Sequence, residues 1–412
     1  MKTNNTHIIK KCSNDTDRRK LIDFNSLIHG EDCGRLTEKL LKKHPQIHDE
    51  NFIFIQTSKN EIISSVALIP WQVDFHNIKL NVFELGIVGT DPKERGKGLS
   101  RELTNFFIDM IEDLNYDISI IQGVPGFYHN FGFHYAIPLD IHLNLPLYLV
   151  DEPFDNSNYK IRKASNNDAI FIAKLFNQHV KSYDLHPIIS ADIVEYCMDC
   201  TTDSEYDAEY YIIKTNEDDA GYFKINLHGF GAGLIVSEIS DMSYSACMQI
   251  IAYCSKLAKE RKMGYIRFNL PDFHPVYKIA ENLGATCDQK YAWQIKIDTV
   301  RFLNKISPVL ETRLQGTFLE KESFTVKINL YRYYLEIDIT KGKIRSIIRK
   351  PHSGEFDEMF ALRECDFYSL ITGYESVNEI DKRAHDFFIN GYNRSIAEVL
   401  FPKQKAFLYY NM

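Results

Sequence analysis

The run Arg95-Gly96-Lys97-Gly98 has the residue types and the spacing that bind a phosphorylated ligand. Glycines let a ligand approach backbone N–H groups without a Cβ in the way. Where a helix begins at such a run, its first N–H groups and its positive dipole end also favour an anion. Lys97 and Arg101, one helical turn apart, add positive charge. These features favour a pyrophosphate group at this turn.

Two flanking elements must hold the turn in place. The apolar run 82–88 predicts a strand that ends at the turn, and apolar residues at helical spacing predict a helix from Leu99 to Leu114. A second apolar strand, Ile118 to Gln122, follows the helix. The glycine spacing matches neither the P-loop of nucleotide-binding proteins nor the GxGxxG loop of dinucleotide folds. We therefore expect a phosphate cradle of another kind.

An aromatic segment follows the second strand, with Phe127-Tyr128, two further residues, and then Phe131-Gly132-Phe133. The order strand, glycine turn, helix, strand and aromatic segment resembles the core of the GNAT acetyltransferase superfamily, whose members bind acetyl-CoA at the turn. The resemblance implies that the first strand splays away from its neighbour, so that the pantetheine pairs with Val88 and Thr90. It also implies a backbone N–H that polarises the thioester carbonyl. Lys93 stands where the superfamily prefers Gln or Arg.

The resemblance assigns a set of residues to acetyl-CoA, at the end of the first strand, in the turn, at the helix start and after the second strand. These residues are Val88, Gly89, Thr90, Arg95, Gly96, Lys97, Gly98, Leu99, Ser100, Arg101, Gly123 and Val124. Acetyl-CoA is the expected cosubstrate, and no metal is expected.

Tyr128 is the general acid that the resemblance implies, a phenol that protonates the leaving thiolate of CoA. A phenol with a pKa of about 10 is a suitable donor to a thiolate of about 8.5. The resemblance assigns the general base to the C-terminal carboxylate, here that of Met412. Glu84 is the alternative base, because many enzymes of the superfamily use a carboxylate on this strand through a water, and His129 is a third. Trp71 is expected to line the core or the cleft.

The composition is that of a large globular enzyme, with 412 residues of which 44% are hydrophobic and 25% charged. The chain has no run of about 18 apolar residues and no apolar N-terminal segment, which predicts a cytoplasmic protein. The eight cysteines are scattered and favour reduced thiols, and Cys197 and Cys200 lie on an amphipathic segment, which favours packing over metal binding. A net charge of −8 argues against a nucleic-acid partner and suits a cationic substrate.

Three units are predicted along the chain: 1–155, 156–298 and 299–412. The second repeats the strand and helix order of the first, but its junction Glu238–Tyr244 has no glycine pair and no cation, so we expect no CoA there. Asp241 or Ser243 is expected to cap the helix that follows. The third unit begins with successive strands and ends in an apolar, aromatic segment, which predicts that this end is buried.

Two GNAT-like units followed by a domain similar to sterol carrier proteins resemble the enhanced intracellular survival (Eis) acetyltransferase family. The resemblance implies an α/β fold of the α+β kind, with two mixed GNAT-type sheets in tandem, and a homo-oligomer, with a hexamer among its implied states. It implies direct acetyl transfer from acetyl-CoA, in a ternary complex, to a cationic primary amine such as an aminoglycoside, a polyamine or a lysine-like side chain. No nucleic-acid or membrane partner is expected. The alternative is a non-catalytic protein that senses CoA or binds lipid in its third unit.

Overall fold

The computed structural model of the chain describes residues 7–150, 158–199, 202–215, 219–229, 231–352 and 360–410. Over these ranges the chain is a mixed α/β protein with one sheet of 13 strands and one of 5. The strands of the large sheet are β1 (His7–Lys11), β2 (Phe52–Thr57), β3 (Ile62–Phe75), β4 (Ile78–Thr90), β5 (Ile118–Ile121), β6 (His134–Pro146), β7 (Tyr159–Lys163), β8 (Leu185–Pro187), β9 (Ala208–Thr215), β10 (Asp219–Asn226), β11 (Leu234–Ile239), β12 (Tyr265–Phe268) and β13 (Thr286–Ile297). The strands of the small sheet are β14 (Ser323–Asn329), β15 (Tyr333–Thr340), β16 (Lys343–Pro351), β17 (Phe360–Ala361) and β18 (Phe388–Ile389). The α-helices are α1 (Asp15–His29), α2 (Glu31–Lys43), α3 (Leu99–Asp113), α4 (Ala169–Val180), α5 (Ala191–Asp199), α6 (Tyr244–Glu260), α7 (Pro275–Asn282), α8 (Thr299–Lys305), α9 (Ser307–Leu314), α10 (Glu364–Ile371), α11 (Val377–Arg383) and α12 (Gly391–Leu400).

The large sheet contains one strand order twice. One half runs β1-β2-β3-β4-β5 and the other runs β7-β9-β10-β11-β12. In each half the last pair, β4 with β5 and β11 with β12, is parallel, and the other pairs are antiparallel. The halves meet through two long strands, because β13 pairs with β5 and β6, and β6 pairs with β13 and β12. Each half is therefore completed by a strand from the other part of the chain.

Helix α3 packs its apolar face on the first half of the large sheet. Leu99, Leu103, Phe107 and Ile111 recur at helical spacing and are at most 3% exposed. They form one apolar cluster with strand residues that include Leu85. This packing fixes the start of α3 beside the end of β4.

The corresponding junction in the second half of the sheet is closed by side chains. Ser243 accepts a hydrogen bond from the N–H of Ala246 and caps α6, which confirms the predicted cap. Asp241 instead pairs with the ring of His179, at 2.8 Å between Oδ1 and Nδ1. The start of α6 is therefore already engaged by the protein.

The small sheet pairs in the order β16-β15-β14-β17-β18 and shares an apolar core with residues of the large sheet. The C-terminal segment, residues 406–410, returns from this part to the large sheet. Ala406 bridges to Leu185, and the N–H of Phe407 donates to the carbonyl of Leu185 at 3.0 Å. Residues 406–409 are buried, as their apolar composition predicts.

Some elements differ from the sequence predictions. The residue pattern over 378–390 predicts one helix, but helix α11 ends at Arg383. Cys197 is buried on α5, while Cys200 lies outside the described residues. In the described ranges no helix is long and apolar enough to cross a membrane, and no group of three or more His, Cys, Asp or Glu side chains is placed to hold a metal ion.

Candidate active site

Strands β4 and β5 separate at a cavity. Their parallel pairing covers Val82–Glu84 against Ile118–Ile120, while β4 continues to Thr90. The register between β3 and β4 shifts beyond Gly86, and Ile87 has a φ of +45°, so β4 bulges there. The opening holds a cavity that is lined by residues at the ends of both strands. This is the splayed geometry that the sequence resemblance implies.

The turn after β4 forms a second cavity at the start of α3. Gly98 precedes the helix with a φ of +85°, Gly96 has a φ of +77°, and a Cβ on either would stand in open space. Gly98 is the N-cap residue of α3, and within the described ranges no side chain at this cap accepts a hydrogen bond from the first N–H groups of the helix. The hydroxyls of Thr90 and Ser100, 2.8 Å apart, tie the strand end to the helix start. The turn therefore offers free N–H groups and space, as an anion site requires.

The two cavities divide the residues that the sequence assigns to acetyl-CoA. Val88, Gly123 and Val124 line the cavity at the strand ends. The cavity at the turn is lined by Thr90, Arg95, Gly96, Gly98, Leu99, Ser100 and Arg101.

Two residues of that set point elsewhere. A Cβ on Gly89 would stand 3.0 Å from Nε2 of His29, so Gly89 faces α1 rather than a cavity. The ammonium of Lys97 pairs with Glu94 at 2.7 Å and is largely exposed. Lys97 therefore contributes charge at the rim of the turn.

Glu84 is a buried carboxyl, 3% exposed, on the wall of the cavity at the strand ends. The indole Nε1 of Trp71 donates to its Oε2 at 3.0 Å, and the hydroxyl of Tyr410 also hydrogen-bonds to it. Burial raises the pKa of Glu84 to about 8, against these two hydrogen bonds, which lower it. A carboxyl with this pKa can exchange a proton near neutral pH.

Tyr128 lines the same cavity, and its ring lies flat against the backbone of Gly123. A Cβ on Gly123 would stand 2.3 Å from Cδ2 of that ring, so only glycine permits this packing. The rings of Phe127 and Phe133 meet Tyr128 edge to face, at 4.9 and 6.2 Å between centroids. Burial raises the pKa of Tyr128 to about 12, which keeps the phenol protonated at neutral pH.

Residues from distant parts of the chain complete this cavity, and local sequence patterns do not indicate them. The ring of Tyr410 stacks on Tyr206 at 4.7 Å between centroids, and the two hydroxyls lie 2.8 Å apart, within hydrogen-bond distance. Glu205 lines the cavity beside Tyr206. From β13, the amide nitrogen of Gln294 donates to the carbonyl of Gly123 at 2.6 Å. The apolar C-terminal composition is the one sequence signal that points to Tyr410.

The three candidate bases named from the sequence differ in where the structure places them. Glu84 lines the cavity, whereas His129 is exposed and does not belong to the lining residues of either cavity. Met412 lies outside the described residues, two positions beyond Tyr410. Trp71 does not line this cavity, and its indole reaches the site only through the hydrogen bond to Glu84.

Comparison with known proteins assigns the class. Residues 29–136, which contain β4, the turn and α3, match the family described as the acetyltransferase (GNAT) domain. Over these residues the chain is therefore similar to the acetyltransferase (GNAT) domain family.

One relative is the uncharacterised N-acetyltransferase YhbS of Escherichia coli, which is 30% identical over 88 residues. The match covers 21% of this chain and 52% of YhbS, so the chain spans about half the length of this curated relative.

Solved structures resemble nearly the whole chain. A GCN5-related N-acetyltransferase from Anabaena variabilis has a TM-score of 0.70 at 14% identity, covering 98% of this chain and 99% of that one. A probable N-acyltransferase from Enterococcus faecalis has a TM-score of 0.72 at 13% identity, covering 99% and 100%. Eis1 from Mycobacterium abscessus has a TM-score of 0.65 at 10% identity, covering 98% and 100%. At these identities the likeness shows the fold.

Proposed function

We propose that the protein is an acetyl-CoA-dependent N-acetyltransferase that acts on a cationic primary amine by direct transfer. The observation that carries the proposal is the cavity at the end of β4, which brings the buried carboxyl of Glu84 and the buried phenol of Tyr128 together. The open start of α3 lies at the end of the same strand. A protein that only senses CoA needs the turn, but it has no use for an acid and a base beside the thioester.

The acyl donor, acetyl-CoA, is proposed to lie with its phosphates at the turn and its thioester in the cavity at the strand ends. The pyrophosphate is proposed to bind the free N–H groups at the start of α3, with Arg95 and Arg101 adding charge. The pantetheine is proposed to follow β4 past Thr90 and Val88 to the cavity. A backbone N–H near the bulge at Ile87 would then polarise the thioester carbonyl.

The chemical step is an attack of the amine on the thioester carbon. The C–N bond forms, the C–S bond breaks, Glu84 accepts the proton lost from nitrogen, and Tyr128 donates a proton to sulfur. The products are the acetamide and CoA as its thiol. A base with a pKa of about 8 suits an amine that must lose a proton, and a phenol with a pKa of about 12 stays protonated until sulfur needs it.

The carboxylate of Met412 is the second proposed base. The C-terminal segment supports it, because Tyr410 lies in the cavity and bonds to Glu84. We rank Glu84 first because its own carboxyl lines the cavity and its pKa lies near neutrality.

The lining of the cavity supports a cationic acceptor. Glu84 and Glu205 provide two carboxyls, and a bound ammonium would favour the ionised form of each. The rings of Tyr206 and Tyr410 add aromatic surface, which attracts cations. The net charge of −8 favours the same class of acceptor during encounter.

We also propose three units with boundaries 1–155, 156–298 and 299–412. The repeated strand order of the large sheet and the separate small sheet support this division. Only the first unit is proposed to bind acetyl-CoA, because Ser243 already caps α6 in the second.

The proposal is tested by measuring release of CoA from acetyl-CoA by the full chain. The acceptors are polyamines, aminoglycosides and lysine peptides, with neutral arylamines for comparison. We expect turnover with the cationic amines and loss of it in Glu84→Gln and Tyr128→Phe. Binding of CoA without turnover on any amine would favour the CoA-sensing alternative.

A further inference from the structure

A row of polar side chains connects the second half of the large sheet to the C-terminal segment. Oδ1 of Asp241, which is exposed in the loop before α6, lies 2.8 Å from Nδ1 of the buried His179. Nε2 of His179 lies 2.7 Å from the hydroxyl of Tyr183, which lies 3.0 Å from the hydroxyl of Tyr409. The direct contact between His179 and Tyr409 is 3.4 Å. The row thus links the loop before α6, helix α4 and the residue next to Tyr410.

The hydrogen bonds in this row have one consistent direction. An ionised Asp241 accepts from Nδ1 of His179, which leaves Nε2 to accept from Tyr183, and the oxygen of Tyr183 then accepts from Tyr409. His179 and Tyr409 are each 3% exposed, and Tyr183 is buried. A hydroxyl that loses its partner in such surroundings is left desolvated without compensation. The row therefore favours a single placement of Tyr409.

The placement of Tyr409 determines that of Tyr410. Along the C-terminal segment, Phe407 and Tyr409 belong to the apolar cluster that contains α4, while Leu408 belongs to the other cluster. Side chains therefore alternate between two sides, as in an extended chain. A shift of one residue would exchange the two sides and withdraw the hydroxyl of Tyr410 from Glu84.

We infer that His179, Tyr183 and Tyr409 form a positioning network that holds the C-terminal segment in register, so that Tyr410 reaches Glu84 in the active-site cavity. This inference rests on the proposed function, because it takes Glu84 as the base. The network gives the second half of the sheet a role in the proposed chemistry of the first half, although Ser243 caps its helix α6 and leaves no anion site there. These three residues act through Tyr410 and do not touch the reacting atoms.

The two tryptophans of the chain report on this segment without any substrate. Tyr410 stacks on Trp293 at 5.7 Å between ring centroids and meets Trp71 edge to face at 5.9 Å. Nε1 of Trp293 also donates to the carbonyl of Leu408 at 3.4 Å. Release of the segment must therefore open both indoles to a quencher in solution.

The test compares two variants with a matched control. His179→Leu leaves the hydroxyl of Tyr183, to which Tyr409 donates, without its acceptor, whereas Tyr409→Phe removes one hydroxyl and keeps the ring. Tyr211→Phe is the control, because it removes the hydroxyl of another buried tyrosine in the same half, bonded to Glu209 at 2.9 Å, away from the segment. If His179→Leu does not fold, Tyr409→Phe decides the outcome.

We expect acrylamide quenching of tryptophan emission to rise about twofold or more in His179→Leu and Tyr409→Phe, and to stay at the wild-type value in Tyr211→Phe. With an amine that the wild type acetylates, kcat should fall roughly tenfold in His179→Leu. The Kd for acetyl-CoA should stay unchanged, because the proposed phosphate site at the start of α3 is not part of this network. Unchanged quenching and kcat in both variants would overturn the inference. Equal losses in Tyr211→Phe would do the same.

A double-mutant cycle separates the network from general destabilisation. In the Tyr410→Phe background, Tyr409→Phe should lower kcat much less than in the wild type, because both act through one hydroxyl. Additive losses would contradict the inference. Absence of turnover in the wild type overturns the proposed function, whereas the quenching result tests the network independently.

Discussion

Glu84 offers the sharpest test of the proposed chemistry, because its pKa sets the pH at which the base is ready. Its pKa of about 8 lies far above the ordinary value of a glutamate, since burial disfavours the carboxylate. An acid with a raised pKa is protonated below that value and gains its basic form as the pH rises. The basic fraction is about 1% at pH 6, about 9% at pH 7 and about 50% at pH 8. We expect kcat/KM to rise nearly tenfold from pH 6 to 7 and to level off above pH 8.

Two variants at this position give opposite signatures. Glu84→Gln keeps the shape of the side chain and can still accept the hydrogen bond from Trp71, but it cannot act as a base. We therefore expect kcat/KM to fall by about 10² to 10⁴-fold and to lose its rise with pH below pH 8, the acid limb of the profile. Trp71→Phe removes a hydrogen bond that lowers the pKa of Glu84. A charged hydrogen bond of about 1.5 kcal/mol corresponds to about one pKa unit, so the limb should move upward by that amount.

The assay follows the acetylated amine by mass spectrometry across the pH range, with two acceptors whose amine pKa values differ. A limb that belongs to Glu84 stays in place for both acceptors, whereas deprotonation of the acceptor moves with the acceptor. Glu205, whose pKa is raised by burial and by the charge of Asp32, is the nearest competitor. Glu205→Gln should keep the limb near pH 8. A limb retained in Glu84→Gln, or one near the ordinary carboxyl pKa of about 4.3, would refute the assignment.

Three further predictions concern the rest of the site. Gly98→Glu should abolish acetyl-CoA binding in calorimetry, because its negative side chain enters the open space of the turn where the phosphates are proposed to bind. Circular dichroism should show that this variant is folded. The control Gly264→Glu, at another glycine with open space, should bind acetyl-CoA normally. Tyr128→Phe keeps the ring on Gly123 and should lower kcat by roughly 10²-fold with the Kd for acetyl-CoA unchanged, and equal kcat would show that Tyr128 only packs. If the carboxylate of Met412 is the base, a C-terminal tag on this chain should reduce turnover steeply without weakening acetyl-CoA binding, and full activity of the tagged chain would leave Glu84 as the base.

The cradle could be predicted from sequence because every signal for it is local. The apolar run of β4, the two glycines and the apolar spacing of α3 lie within one stretch of chain, and each pattern predicts its own element. Gly96 and Gly98 have the positive φ that their residue type permits, beside open space. The resemblance then added roles for Tyr128 and Glu84, both of which line one cavity.

The rest of the site depends on pairings between distant parts of the chain. Apolar and polar residues alternate in β13 only from Trp293 to Ile297, and its first six residues are exposed, so the sequence pattern indicates at most a short strand and not its partners β5 and β6. Tyr206 and Tyr410 meet across a separation of 204 positions, which no local pattern encodes. The unusual pKa of Glu84 is likewise a property of the assembled cavity, because the burial that raises it comes from the tertiary fold.

The exchange of strands explains why a half with a closed helix start remains part of the active site. Without β13, strand β5 would have an unpaired edge next to the cavity, and an unpaired edge can pair with a strand of another chain. Gln294 on β13 holds the carbonyl of Gly123, and the ring of Tyr128 rests on that glycine. The same half supplies Tyr206, on which Tyr410 stacks. The proposed acid and the setting of the proposed base thus both depend on residues beyond 29–136, so the joined sheet, rather than its first half alone, builds the proposed site.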